Sequence, residues 1–374
     1  MHFTSTKDLI HDAVSRRVVP CAAYAVGRGN HVYIRESVGS SSLFPREEPL
    51  REDTLFDMAS LTKVLATTMV ALRFLEEGRL LLTDPLSRFF SPEELLGIPE
   101  GRAEANIFHL MTHTSGITPH IALWREIPDY AVDSGDFDSA VARTILRSAP
   151  FCQVGEQVYY SCMGYILLQK ILERISGKPL DRLASEYVFS PLGMNATGYL
   201  PYGDNRNKPD CNAAATEFSS IHQYYIRGHV HDENAHFLGG VSGNAGVFSN
   251  LSDMITFAQM LSLRGEVPAS AGSGRYLSRR MFDLAVQDYT LGMNESRGLG
   301  LQLRPPLPAL SAAGDLFAYG SYGHTGFTGT SLYVDAGTGV WAVLLTNAVH
   351  LGRDKTEFFR VRRLFHNTVM AELN

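Results

Sequence analysis

Apolar runs of the kind that form strands lie near both ends of the chain. Cys21–Val26 and Val32–Val38 are separated by Gly27-Arg28-Gly29-Asn30, which predicts a β-hairpin. Towards the other end, Thr330–Val334 and Val340–Leu345 are rich in strand-forming residues. The pattern therefore predicts strands in the N-terminal and C-terminal parts of the chain.

Between these strands, apolar residues recur at helical spacing. One helical pattern begins at Ser60 and stops at Gly78, and another covers Tyr165–Ile175. Asn250 is expected to cap a helix that reaches about Leu263. Further helices are predicted from about Thr6 to Arg17, over Leu183–Val188 and from about Lys355, with loops over Glu266–Arg275 and Arg304–Gly314.

Strands at both ends with helices between them indicate the α+β class. The sheet domain is then discontinuous, formed by residues 1–85 and 265–374. A mostly helical domain, residues 86–264, is inserted into it. No repeat of solenoid length is visible.

Composition excludes several functional classes. The formal net charge is −6, so no basic surface predicts binding to nucleic acid or to a membrane. A polyanionic substrate is also disfavoured, although local charged patches are compatible with this total. The N-terminus has no continuous apolar segment of the kind found in secretory leaders, and eighteen apolar residues never run together.

The cysteines agree with a reducing compartment. Cys21, Cys152, Cys162 and Cys211 are widely spread and form no CxxC pair. Free thiols are therefore expected rather than a disulfide framework. Together with the missing leader, this predicts a cytoplasmic location.

The first candidate for chemistry is Ser60-Leu61-Thr62-Lys63. In the first turn of a helix, residues three apart share a face, so the Ser60 hydroxyl and the Lys63 amine become neighbours. A desolvated lysine with a lowered pKa can help to remove the serine proton. Of the six lysines, Lys63 alone has a serine three residues before it.

A second candidate is Tyr160-Ser161-Cys162, in a loop before the Tyr165 helix. A tyrosine at such a position can face a cleft and move a proton once nearby cations lower its pKa. The alternative is a buried tyrosine whose hydroxyl is simply hydrogen-bonded. Tyr159 beside it is predicted to be the core residue of the two.

The third candidate is His324-Thr325-Gly326, which leads through Phe327 into a late strand. Glycine lets a substrate backbone approach, and the N–H groups of Phe327 and Ser60 are suited to form an oxyanion hole. The alternative is a plain strand entry. His113-Thr114-Ser115 looks similar but lacks the glycine.

Histidines and carboxylates also crowd the stretch His229-Val230-His231-Asp232-Glu233-Asn234, with His222 and His236 nearby. The spacing matches no helical zinc signature, so no metal and no other cofactor is expected. We expect His231 and Asp232 to lie at the rim of the cleft and to influence substrate choice.

The order of these motifs resembles the penicillin-recognising serine hydrolases, which include class C β-lactamases, DD-carboxypeptidases, D-aminopeptidases and related carboxylesterases. Other stretches that resemble the family are Phe56–Lys63, Leu110–Gly116, Pro191-Leu192-Gly193-Met194 and Gly246-Val247-Phe248-Ser249. The resemblance spans about Phe56 to Asn347.

The resemblance implies a β-lactamase/transpeptidase-like fold, an antiparallel sheet flanked by helices, with the active site in the cleft beside the helical domain. Ser60 would be the acylated nucleophile, Lys63 its activating partner and Tyr160 the general base and acid. His324 and Thr325 would line the strand side, and the N–H groups of Ser60 and Phe327 would bind the oxyanion.

Two positions depart from the family pattern. Cys162 stands where the family commonly has an asparagine, whose amide can hold both the lysine and a substrate carbonyl. The last motif begins with His324 rather than the lysine common in β-lactamases, and its charge is expected to vary near neutral pH. Both departures favour peptidases or esterases over β-lactamases.

The favoured interpretation is a serine hydrolase that acts on a small ester, amide or peptide. The alternative enzyme is a penicillin-binding DD-carboxypeptidase or a class C-like β-lactamase. A third hypothesis is a non-catalytic binding or assembly protein with the same fold. Nothing in the sequence predicts the oligomeric state.

Overall fold

The computed structural model describes residues 2–132, 135–200, 212–220 and 223–373. Its strands are β1 Cys21–Arg28, β2 His31–Ser42, β3 Glu48–Pro49, β4 Phe56–Asp57, β5 Gly198–Tyr199, β6 Phe218–Ser219, β7 Tyr224–Tyr225, β8 Val247–Ser249, β9 Gln302–Leu303, β10 Tyr322–Thr325, β11 Ser331–Val334 and β12 Val340–Thr346. Seven of them form one antiparallel sheet in the order β3-β2-β1-β12-β11-β10-β9. The sheet therefore takes its strands from both ends of the chain.

The α-helices are α1 Thr4–Ser15, α2 Met69–Glu76, α3 Pro92–Leu95, α4 Ile107–Met111, α5 Leu123–Glu126, α6 Asp129–Val132, α7 Phe137–Leu146, α8 Cys162–Ser176, α9 Leu180–Ala184, α10 Glu233–Phe237, α11 Leu251–Ser262, α12 Arg279–Ala285 and α13 Thr356–Ala371. Two π-helices cover Lys63–Thr68 and Ser185–Phe189, and two 3₁₀ turns cover Leu86–Arg88 and Ala348–Leu351. Most of these helices lie in the middle of the chain, as the periodicity predicts.

The central strands are apolar throughout because both faces of the sheet are covered. Along β1, Ala23 and Ala25 belong to the larger core, and Tyr24 and Val26 to a second core on the opposite face. Helices α1 and α13 pack together over the second face, and α11 lies against β1, β11 and β12 on the first. This arrangement holds β10 beside the segment that begins at β4.

Several predicted elements are confirmed. The hairpin joins β1 and β2, and α8 ends at Gly177, which has φ 70° as a C-terminal glycine should. The Asn250 side chain caps α11 by accepting a hydrogen bond from the Asp253 N–H. The predicted final helix begins at Thr356. The domain limits at residues 85 and 265 stay a prediction.

Two predicted helices differ in detail. The helix expected to run directly from Ser60 contains a π-helix, Lys63–Thr68, before α2 begins. The one expected over Leu183–Val188 is α9 followed by a second π-helix. The apolar pattern locates a helix but does not distinguish α from π hydrogen bonding.

Candidate active site

Ser60 follows a strained backbone position. Ala59 has φ 45°, in the left-handed region that alanine rarely adopts. The buried carboxylate of Asp57 holds this turn by accepting a hydrogen bond from the Ala59 N–H at 2.8 Å. Its other oxygen accepts one from the His231 N–H at 2.7 Å. Asp57 therefore ties the turn that presents Ser60 to a segment distant in sequence.

Lys63 lies beside Ser60, as the spacing of three residues predicts. Its Nζ donates to Ser60 Oγ at 3.0 Å and to the backbone oxygen of Asn244 at 3.0 Å. A third contact runs to Sγ of Cys162 at 3.5 Å. The side chain is fully buried. All three donors of the ammonium group therefore have partners.

Tyr160 stands over Lys63, whereas Tyr159 points elsewhere. Nζ of Lys63 lies 4.8 Å from the centroid of the Tyr160 ring, and the His113 ring lies against the same ring at 4.6 Å. Tyr159 instead packs on Phe151 at 4.4 Å. The Tyr160 hydroxyl oxygen is buried and makes no hydrogen bond of normal geometry within the described residues.

The net pKa shifts of Lys63 and Tyr160 are opposite to those expected from the sequence. Burial lowers the pKa of Lys63, but the charges that Cys162 and Tyr160 carry when ionised raise it further, to above its ordinary value. Burial raises the pKa of Tyr160, and the nearby Lys63 ammonium only partly opposes it. At neutral pH both groups therefore hold their protons.

His324, on β10, is neutral, so the expectation of a charge that varies near neutral pH is wrong. Burial, together with the charges of Arg297 and Lys63, lowers its pKa to about 3. Its Nδ1 lies 2.7 Å from the Thr325 oxygen, which assigns the proton to Nδ1. Nε2 is left as a buried acceptor without a partner among the described residues.

Gly326 is required by packing between two protein segments. A Cβ there would lie 2.5 Å from the Met58 oxygen and 2.1 Å from Oγ1 of Thr330. The end of β10 can therefore approach the turn before Ser60 because residue 326 has no side chain. This is a different reason for the glycine from the approach of a substrate.

Two backbone N–H groups are available at the expected oxyanion position. Neither Ser60 nor Phe327 donates its N–H to any residue in the described ranges of the chain. Both residues line the same cavity. The pair can therefore bind an oxyanion that develops on a substrate carbonyl.

His231 and Asp232 lie closer to the chemistry than a rim position. The His231 ring stacks on Phe327 at 5.7 Å, and its Nε2 is 2.8 Å from a carboxylate oxygen of Glu217. Oδ1 of Asp232 caps α10 by accepting from the Ala235 N–H. Both residues line a cavity of about 200 Å³ that also includes Ser60 and Phe327.

A second cavity beside Ser60, of about 280 Å³, contains Tyr160, His324 and Thr325. Three further residues line it that the sequence analysis did not identify: Arg297, Lys355 and Arg362. No motif or periodicity singles them out, because they approach from separate parts of the chain. A larger cavity of about 590 Å³, lined by Arg102, Ser115 and Cys152, includes neither Ser60 nor its partners.

Within the described residues, no three His, Cys, Asp or Glu side chains converge as a metal site would require. His222 and Cys211, named in the sequence analysis, lie outside the described residues. Cys21, Cys152 and Cys162 are free thiols. No helix of the described part is long and apolar enough to cross a membrane.

Comparison with known proteins places this site in a family. The family model described as Beta-lactamase matches residues 6–365, nearly the whole chain. The chain belongs to the β-lactamase family. A relative from Escherichia coli K12, provisionally named a D-alanyl-D-alanine carboxypeptidase, is 29% identical over 88% of this chain and 79% of its own length.

Other β-lactamase-family relatives carry different names. An N-acetylmuramyl-L-alanine amidase of Bacillus subtilis strain 168 is 27% identical over 89% of this chain and 75% of its own. Among solved structures, EstCE1, described as a hydrolase with promiscuous acyltransferase activity, matches with a TM-score of 0.73. It is 20% identical, with 98% of this chain and 97% of that one covered, and it confirms the β-lactamase-like α+β fold.

Proposed function

We propose that this chain hydrolyses a small ester or amide through an acyl-enzyme on Ser60. The observation that carries the proposal is the 3.0 Å contact between Ser60 Oγ and Lys63 Nζ at the wall of a cavity that Tyr160 also lines. The β-lactamase family consists generally of serine hydrolases, in agreement with this arrangement.

In the reactive protonation state, Tyr160 is a phenolate beside the Lys63 ammonium. Ser60 Oγ attacks the carbonyl carbon, and its proton passes to the Tyr160 oxygen. The N–H groups of Ser60 and Phe327 bind the resulting oxyanion. Collapse of this intermediate breaks the bond to the leaving group, which takes its proton from Tyr160. Lys63 stays charged throughout and stabilises the phenolate.

Deacylation reverses the proton transfers. A water molecule attacks the acyl carbon of Ser60 and gives a proton to the Tyr160 phenolate. The oxyanion forms again at the same two N–H groups. Ser60 then leaves with the proton from Tyr160, and the free enzyme is restored. No metal ion takes part in this scheme.

The second candidate is a penicillin-binding DD-carboxypeptidase or a class C-like β-lactamase. Its support is the provisional name of the Escherichia coli relative. Against it stands Cys162, which occupies the position beside Lys63 where an asparagine would offer an amide to the substrate carbonyl. The ester or small-amide hydrolase is therefore preferred.

One panel of substrates tests the proposal: p-nitrophenyl esters, D-aminoacyl amides and a chromogenic cephalosporin, each with wild type and Ser60→Ala. We expect hydrolysis of at least one ester or amide and a loss of at least about a thousandfold in Ser60→Ala. The exposed Ser190→Ala is the control and should behave as wild type.

Activity that survives in Ser60→Ala would reject the mechanism. Stable labelling of Ser60 by a fluorescent penicillin, with slow ester turnover, would favour the penicillin-binding alternative. A protein inert to the whole panel and to serine-directed phosphonates would instead support a non-catalytic binding protein.

A further inference from the structure

The cavity that holds Tyr160 is unusually rich in buried positive charge. Arg297, Lys355 and Arg362 all line it, and their exposed fractions are 4%, 6% and 9%. Arg297 approaches from the segment before β9. Lys355 and Arg362 come from the start and the body of α13. The three cations therefore converge from different parts of the fold on one space.

Of these charges, that of Arg297 alone has an acidic partner. Its Nε donates to Oε2 of Glu295 at 3.1 Å, and Glu295 lines the same cavity. Neither Lys355 nor Arg362 has a carboxylate at ion-pair distance anywhere in residues 2–132, 135–200, 212–220 and 223–373. The cavity therefore carries two positive charges that the described protein does not neutralise.

What surrounds these two cations is aromatic. Nζ of Lys355 lies 3.2 Å from the centroid of the Phe327 ring and donates to the Phe327 oxygen. The Arg362 guanidinium lies 5.7 Å from the Phe358 ring and 5.2 Å from the Phe359 ring. Its Nε is buried and makes no hydrogen bond among the described residues. Aromatic faces stabilise a cation, but less than a desolvated carboxylate does.

The burial has a measurable consequence for the lysine. Burial, and then the neighbouring charges of Arg362 and Arg353, lowers the pKa of Lys355 to about 8. Buried cations that lack counter-ions are costly, and a bound anion removes that cost. The cluster therefore has the properties of a preformed anion site rather than of an internal ion-pair network.

The position of the cluster relative to Tyr160 indicates which part of a substrate it meets. The cationic cavity contains Tyr160, the proposed acid to the leaving group. The other cavity beside Ser60, lined by His231 and Asp232, does not contain Tyr160. A leaving group that receives its proton from Tyr160 must therefore occupy the cationic cavity.

We propose that Lys355 and Arg362 bind a leaving group that carries two negative charges. The inference rests on the proposed function and names its substrate class: esters or amides of an acidic alcohol or amine. The shared chemistry is a dianion, either a dicarboxylate or a phosphate monoester. The carboxylate Glu295 keeps Arg297 neutral overall, so the two unmatched charges of α13 set the number of anionic groups.

Binding is tested on Ser60→Ala by calorimetry at low ionic strength, with acetate, succinate and inorganic phosphate as probes. We expect succinate or phosphate to bind at least about tenfold more tightly than acetate, and the tighter of the two identifies the kind of dianion. Added Lys355→Gln or Arg362→Gln should each weaken that binding by at least about tenfold. Added Arg360→Gln, an exposed charge on the same helix, should leave it unchanged.

Equal affinity for acetate and both dianions would overturn the proposal, even if every variant failed to fold, because that comparison needs none of the added substitutions. Folded Lys355→Gln and Arg362→Gln proteins that bind like the Arg360→Gln control would also overturn it. Because Ser60→Ala does not turn over, dianion binding by this variant supports the subsite even if wild type hydrolyses nothing. Serine-dependent hydrolysis without dianion preference would reject the subsite and keep the proposed function.

Discussion

Cys162 is the residue where this chain departs most from its family at the reacting atoms. Its Sγ lies 3.5 Å from Nζ of Lys63, within reach of the lysine but with a weak acceptor and no second polar atom. An asparagine side chain at this point would accept from the lysine through its oxygen. Its amide nitrogen would remain free to donate to a substrate carbonyl.

Cys162→Asn is therefore expected to raise kcat/KM for amides about tenfold relative to esters, since amide carbonyls are the stronger hydrogen-bond acceptors. The comparison uses one acyl group as its p-nitrophenyl ester and as its amide. Cys162→Ala is the control, because it removes the thiol without adding an amide. An unchanged ratio of amide to ester turnover in Cys162→Asn would contradict the argument.

At this scale the sequence predicts contacts that depend on local spacing and misses those that depend on distant partners. Ser60 and Lys63 are predictable neighbours because three residues separate them in one helical turn. The neutrality of His324 is not, because Arg297 and Lys63 reach it only through the tertiary fold. Arg362 was missed for the same reason.

At the scale of elements, the loop after α4 holds Tyr160 in place. His113 has φ 59°, and its Nδ1 accepts a hydrogen bond from the Ser161 N–H at 3.1 Å. Its backbone oxygen accepts from the Tyr159 N–H at 2.9 Å. The residues on both sides of Tyr160 are thus bound to His113, and its ring packs on the tyrosine at 4.6 Å. His113 is a positioning residue, although its tripeptide lacks the glycine of the strand motif.

His113→Leu should lower kcat by about ten- to a hundredfold with little change in KM, because Tyr160 loses its fixed position while the cavity keeps its lining. His113→Asn should retain most of the activity, since asparagine tolerates positive φ and its Oδ1 can accept from Ser161. Steady-state kinetics on folded variants measures both. Wild-type kcat in His113→Leu, or equal losses in the two variants, would show that the side chain does not position Tyr160.

Elements with strong local signals were predictable, and their hydrogen-bonding details were not. Helix α8 follows from its apolar period and its terminal Gly177. The Lys63–Thr68 π-helix has no such signal, because one extra residue in a turn leaves the apolar pattern almost unchanged. The pairing of β1 with β12 joins Ala22 to Thr346. Only the presence of strands at both ends suggested that pairing.

At the scale of the whole molecule, several histidines are buried without charge. His324 and His366 are 3% and 0% exposed, and burial lowers the pKa of each to about 3. The His366 ring lies between Phe317 and Tyr333, and neither nitrogen has a hydrogen-bond partner in the described chain. The unfolded chain takes up these protons at the ordinary pKa of 6.5, and the folded protein does not.

The free energy of unfolding should therefore be greatest above pH 6.5 and fall as the pH decreases towards 3, because protons then favour the unfolded chain. At pH 5 each such histidine should cost about 2 kcal/mol relative to neutral pH. Two of them would remove about 4 kcal/mol, a large part of a typical total stability of about 5–15 kcal/mol. Acid sensitivity is thus a property of the core as much as of the active site.

His366→Phe isolates this contribution outside the catalytic cavity, because phenylalanine keeps an aromatic ring between Phe317 and Tyr333 and cannot take up a proton. Urea unfolding at pH 7 and pH 5 should show that the loss of stability between the two is smaller by about 2 kcal/mol than in wild type. The exposed His2→Gln is the control and should keep the wild-type difference. If His366→Phe loses as much stability as wild type on acidification, His366 is not a source of the acid sensitivity, and carboxylates elsewhere must account for it.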